Sequence, residues 1–199
     1  MTQTVVIAGL LWIFLGATAV AAVPSRPDFH RGVYVLHERQ IAGRAVRTAE
    51  ETGNYEGAAA KGYRYRITSY YDAATGRLLS RMERNADSPE AIHIAEVNIY
   101  DAEGRVVRDF FSSAPPWMPT YPSHAYINLH HYNGKLHSWR QFELDGRVNY
   151  ESCEGELDGK PVRIALSWED LYEMKGKSPV YRACFDGMSN DWKPFLIPH

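Results

Sequence analysis

The side chains with the most chemical potential are three histidines around one turn: His124, His130 and His137, flanking Asn133-Gly134. A two-residue loop at Asn133-Gly134 sets Tyr132 opposite Lys135, His131 opposite Leu136, and His130 opposite His137. Cross-strand neighbours hold their β-carbons about 5 Å apart, a spacing at which two imidazoles can share one metal ion. Neutral imidazoles suit zinc, copper or nickel, so zinc or copper is the cofactor this pattern implies. By alternation His124 points to the same side, as do Asn128, Tyr132 and Trp139, while His131 lies on the other. No His-x-x-x-His on a helix, no His-Glu-x-x-His and no adjacent carboxylate completes the set, and the nearest acid on that face by alternation is Glu143. The plainer reading is a wet sheet face or a stacked aromatic ladder.

The other chemistry-bearing residues carry less. The chain has two cysteines, Cys153 and Cys184, and an isolated pair in an exported chain usually means one disulfide, with two unrelated buried thiols as the plainer alternative. Closing that loop stabilises a fold by roughly 3–4 kcal/mol on the chain-entropy estimate. Neither cysteine sits in a strand-to-helix elbow of the kind that activates a nucleophile. Paired carboxylates for glycoside cleavage cannot be picked out among Glu143, Glu151, Glu154 and Glu156.

The elements that position these residues are best marked between His124 and Ile164. Asn133-Gly134, Asp145-Gly146 and Asp158-Gly159 follow one another about a dozen residues apart, each between runs of alternating residues. Asn-Gly and Asp-Gly accept the positive φ angles of hairpin turns, so the stretch predicts four consecutive antiparallel strands. The same counting puts Arg140 opposite Glu151 and Glu154 opposite Arg163, two opposite-charge pairs that a one-residue slip would destroy.

Upstream, Gly62–Asp72 alternates tyrosine and isoleucine against arginine and threonine, and a turn leads to a returning strand over Arg77–Arg84. Ala91–Asp101 and Arg105–Phe111 form the next hairpin. The turns YDAATGR and YDAEGR, with FELDGR and GELDGK as shorter echoes, resemble in turn chemistry the YD-type and MORN-type hairpin repeats of bacterial surface proteins, without a full repeat unit. Gly32–Gln40 fits a strand, Arg44–Thr52 fits a strand or a frayed helix, and Thr52–Gly62 reads as a loop or packing segment. Ser167 caps a short helix over Trp168–Lys175 whose Trp168, Leu171 and Tyr172 share a face toward the sheet. Ser178–Gly187 reads as a last strand. Trp192, Phe195, Leu196 and Ile197 make the tail apolar, suited to docking on the sheet or to meeting a partner.

Residues 112–124 break this order. Four prolines rule out a central strand there, and Trp117, Met118 and Tyr121 sit among them. Aromatics held by prolines present contact area with little entropy left to lose, which makes the loop either a binding element or a lid on the core.

The fold class is therefore mainly β: a single antiparallel meander of seven to nine strands, a strongly curved sheet or incomplete barrel with one short C-terminal helix. A two-layer β-sandwich is the alternative. Residues 24–199 are expected to form one β-rich domain. Residues 1–23 read as a signal peptide or an N-terminal membrane anchor. Val5–Val23 carries no charge and ends in the cleavage triplets Ala19-x-Ala21 and Val20-x-Ala22, though the segment before it lacks a basic residue. The run is long enough to span a bilayer uncleaved, and Arg26 and Arg31 behind it would then favour a cytoplasmic domain.

Thirteen tyrosines, a formal charge of −2 and interspersed signs make a packed domain and argue against nucleic acid as a partner. The arginines between Arg64 and Arg84 are diluted by Glu83 and Asp87. Three functional readings follow. The first is a non-catalytic exported protein of the periplasm or cell envelope, secreted or anchored to the inner membrane. It binds an envelope partner, or serves as an accessory or assembly subunit, through its sheet face, its proline-aromatic loop or its tail. The second is a binder of carbohydrate or lipid, a small extracellular ligand, with Trp117, Tyr121, Tyr126, Tyr132 and Trp139 as stacking surfaces. The third is a metal carrier or metalloenzyme using His130 and His137. Membrane contact is expected only through residues 5–23, if these are retained.

Overall fold

The computed structural model describes residues 23–55, 62–118, 121–174 and 178–193. It opens with helix α1 (Arg26–Ile41). Nine strands follow: β1 (Val46–Asn54), β2 (Arg64–Asp72), β3 (Leu78–Asn85), β4 (Ile92–Tyr100), β5 (Val106–Ser113), β6 (His124–Asn133), β7 (Leu136–Glu143), β8 (Val148–Leu157) and β9 (Lys160–Ser167). Helices α2 (Trp168–Met174) and α3 (Pro179–Phe185) complete the order. Residues 1–22 of the leader expected over residues 1–23 lie outside the described residues, as do most of the segment between β1 and β2 and the apolar residues Phe195, Leu196 and Ile197.

All nine strands pair antiparallel in sequence order within one sheet. The meander is as the turns predict. The sheet is neither closed nor strongly curled; among the described residues β1 and β9 are its edge strands and there is no second sheet to make a sandwich. The physical reason is a layer the sequence reading lacked. α1 lies across β3 to β6 and α3 across β6 and β7, so helices cover the apolar face and the sheet need not roll onto itself.

Both helices occupy segments whose composition suggests strands. In α1, Ser25 accepts from the Asp28 amide at 3.3 Å, Pro27 stands in the first turn, and Phe29, Val33 and His37 face inward four residues apart. That spacing is helical and overrides the β-branched look of Gly32–Gln40. In α3, Ser178 accepts from the Tyr181 amide at 3.0 Å, Pro179 opens the helix, and Tyr181, Cys184 and Phe185 are buried. The Ser-Pro start fixes a helix where Ser178–Gly187 was expected to be extended. α2 forms as expected, with Asp170 accepting from the Ser167 amide at 3.2 Å, but Trp168 is 63% exposed while Leu171 is buried.

The hairpins refine the predicted register. Asp158 and Gly159 have φ of 52° and 75°, the pair of positive angles a type I′ turn needs, and Glu154 pairs with Arg163. At the preceding turn Glu143 bonds Arg147 across three loop residues. A bulge between Gln141 and Phe142 restores the count, so Arg140 still meets Glu151. At the first turn the loop is Gly134-Lys135 instead of Asn133-Gly134, with positive φ at Gly134 alone. His130 therefore pairs with Trp139, and His137 with Tyr132, two residues off the expected pairing. A shift of two keeps every side chain on its expected face.

The core lies between helices and sheet, where Phe29 packs on Phe110 and Val33, Met82, Val97, Ile127 and Phe142 are buried. At its C-terminal end Arg140 and Glu151 meet at 2.5 Å, with side chains 3% and 0% exposed. Tyr181 donates to Glu151 at 2.7 Å, and Arg140 donates to the Ser189 carbonyl and Asn190 Oδ1, both at 2.9 Å. Beside this network the Cys153–Cys184 disulfide ties α3 to β8. Met188 and Trp192 are buried, so the first part of the tail docks on the domain. Among the described residues no helix is long and apolar enough to cross a membrane.

Candidate functional site

With one face of the sheet under helices, strand alternation brings the other set of side chains to the uncovered face. Across β4, β5, β6 and β7 three rungs lie side by side there. Glu96, Phe111, Tyr126 and Glu143 form one; Asn98, Asp109, Asn128 and Gln141 the next; His130 and Trp139 the third. Between them is an open cavity of about 360 Å³, walled by Glu96, Asp109, Phe111, Tyr126, Asn128, His130, Trp139 and Gln141.

The walls are of two kinds. Phe111 and Tyr126 stack with centroids 6.1 Å apart and planes 16° from parallel, and Trp139 leans on Tyr150 at 5.1 Å. The polar wall centres on Asp109, which accepts from Asn128 Nδ2 at 2.6 Å and meets His130 Nε2 at 2.7 Å. His130 Nδ1 lies 3.0 Å from His137 Nε2, with the two rings nearly parallel at 5.2 Å. If His130 donates Nε2–H to the carboxylate, its bare Nδ1 accepts from His137, and the chain runs through two neutral imidazoles. Tyr132 closes the stack, 4.7 Å from the His137 ring, and donates to the Val106 carbonyl at 3.0 Å.

Burial shapes the electrostatics. It pushes the Glu96 carboxyl upward, Asp109 adds to this, and Arg81, paired with Glu96 across the strands, opposes it. Burial also pushes His137 downward, reinforced by His130 and opposed by Glu154. Tyr126 is raised by burial and by Glu143. Asn128 Oδ1 is buried with no hydrogen-bond partner.

Of the residues singled out from the sequence, Tyr126, His130 and Trp139 line the cavity, and His137 and Tyr132 back its polar wall. His124 stands apart, its Nδ1 3.0 Å from Ser123 and 3.3 Å from Ser113. Among the described residues no three His, Cys, Asp or Glu side chains come together as a metal set. His130 and His137 lie within hydrogen-bond distance of each other, and the second nitrogen of His130 meets Asp109. Trp117, Met118 and Tyr121 are 46%, 47% and 65% exposed on the loop between β5 and β6, outside the cavity wall.

Sequence reasoning missed Glu96, Asp109, Phe111 and Gln141. It took Glu143 as the nearest acid because Glu143 is on the hairpin the turns define. Asp109 reaches His130 from the strand before, and the pairing of β5 with β6 spans the proline loop, whose length hides the register. A larger cavity of about 460 Å³ lies beside α1, between Pro27, Tyr34, Ile92 and Pro122. Its imidazole, His30, is committed to Ser112 Oγ at 2.9 Å and the Ile92 carbonyl at 3.3 Å. Comparison with protein-family models, with curated proteins and with solved structures found no match to this chain.

Proposed function

We propose that this chain is a non-catalytic, exported binding domain that holds a small carbohydrate ligand on the uncovered face of its sheet. The observation that carries the reading is the cavity itself: aromatic walls beside amide, carboxylate and imidazole groups, all on strands of a sheet braced from behind by helices. Flat aromatic faces accept the apolar face of a sugar ring, and polar groups at their edges take its hydroxyls. Rigid strands lose little entropy when a ligand binds. The disulfide supports export, because such bonds persist in oxidising compartments. The test is a glycan array probed with the oxidised domain, alongside Tyr126→Ala and Trp139→Ala. The wild type is expected to retain a defined set of glycans, and each variant to weaken binding about tenfold, or 1.4 kcal/mol. Binding of nothing by the wild type, or equal binding by both variants, overturns the reading.

The exposure of Trp117, Met118 and Tyr121 favours a second reading, contact with an envelope protein through residues 112–124. Trp117→Ser with Tyr121→Ser would abolish such a contact while leaving glycan binding intact.

A further inference from the structure

The cavity's unspent groups all have one sign. Its wall contains two carboxylates and no lysine or arginine. Both oxygens of Asp109 are committed, one to Asn128 and one to His130. Glu96 differs: among the described residues it has no hydrogen-bond or ion-pair partner, and the opposite charge acting on it is Arg81 across the strand. A half-buried carboxylate without a hydrogen-bond partner, set in the wall of a cleft, marks a candidate ligand site. Asn128, only 9% exposed, lines the same wall, and its Oδ1 is buried without a donor. Phe111, Tyr126 and Trp139 add the negative faces of three rings. Hydroxyl donors of a neutral sugar would leave Glu96 without an ion-pair partner.

We infer that the ligand carries a positively charged amino group, an amino sugar with a free amine, with Glu96 as its counter-ion and the aromatic wall of Phe111, Tyr126 and Trp139 beneath the ring. This rests on the reading of the cavity as a carbohydrate site. It names the class within it. Replacing Glu96 with glutamine keeps the shape and removes the charge. Unlike a structural ion pair, an unpartnered carboxylate is not needed by the fold, so Glu96→Gln melts no lower than the wild type.

The experiment is calorimetric titration of the oxidised chain with glucosamine oligomers and with N-acetylglucosamine oligomers of the same length, for wild type and Glu96→Gln. The wild type is expected to favour the free-amine series at least about tenfold, as a charge-assisted contact implies. Glu96→Gln is expected to lose that preference, so that it binds the two series with equal affinity. Equal affinity of the wild type for both series, or a preference that survives Glu96→Gln, overturns the amino-sugar inference and leaves the carbohydrate reading standing. Binding of neither series alongside binding of other glycans does the same. Binding of no glycan at all overturns both.

Discussion

Arg140 and Glu151 show how much one pair of residues can decide. Each is almost fully buried, and the pair is satisfied only because Tyr181, the Ser189 carbonyl and Asn190 supply the remaining bonds. Removing one partner strands a charge, so Glu151→Ala is expected to cost about 3–5 kcal/mol, measured by urea unfolding. The histidines between α1 and the sheet, His30 and His37 on the helix and His93 on β4, act through protons. His37 bonds Ser80 Oγ at 2.7 Å, and burial, with Arg84 adding and Glu38 opposing, lowers it from 6.5 to about 4. His30 and His93 are lowered in the same sense. The unfolded chain therefore binds these protons first, and the stability they carry is present above pH 6.5 and lost as the pH falls toward 4. Glu83, which accepts from the Tyr55 hydroxyl, runs the other way. Burial raises it from 4.5 to about 6, so its contribution is present below 4.5 and lost as the pH rises through 6. The expected outcome is a melting temperature that falls on acidification below pH 6.5, with a shallower fall in His37→Gln. An unchanged slope in that variant would remove His37 from the account.

At the scale of elements, turns were legible and helices were not. Asp158-Gly159 and Asp145-Gly146 set the pairing of Arg140 with Glu151 and of Glu154 with Arg163 because turn residues act locally and the charges check the count. The first hairpin came out two residues off because Gly134 can open a turn as readily as close one, and nothing in the neighbouring residues chose between them. α1 and α3 were missed for one reason: β-branched and aromatic residues filled both segments, while the helical signal lay in the Ser-Pro caps and in inward residues spaced by four or three. The histidine face was legible by alternation, but its acid was not, since Asp109 arrives from another hairpin. Gly155 shows a constraint that composition hides. Its φ is +135°, and a β-carbon there would stand 2.1 Å from the Lys135 carbonyl oxygen. Gly155→Ala is expected to destabilise by about 2 kcal/mol or more, from backbone strain and the shift forced on the turn between β6 and β7. Thermal unfolding reads it directly. A neutral result would show that β8 relaxes away from that turn.

For the molecule as a whole, an open sheet must protect its edges and brace its single covered face. β1 is exposed along most of its length and carries Arg47, Glu50 and Glu51, while β9 presents Lys160, Pro161 and Arg163, devices that discourage edge-to-edge pairing. Behind the sheet the disulfide pins α3 across a sequence separation of 31 residues. Its reduction is expected to cost roughly 3–4 kcal/mol on the chain-entropy estimate, and with it the support behind β7, whose Trp139 and Gln141 line the cavity. On the reading proposed above, compartment and function are coupled through this bond. A chain kept reduced would hold its binding face on a weakened brace, whereas export would complete it. The measurement that decides this is the intact mass of the mature protein recovered from fractions of its own host, before and after reduction. A mass beginning at Ala22 or Val23 and two hydrogens light until reduced is the outcome expected of a leader cleaved at its small-residue triplets and a bond closed outside the cytoplasm. A full-length chain with free thiols would instead place the domain on a reducing membrane face. The sheet would then carry its open cavity without the covalent brace, and the search for its ligand would move to the cytoplasm.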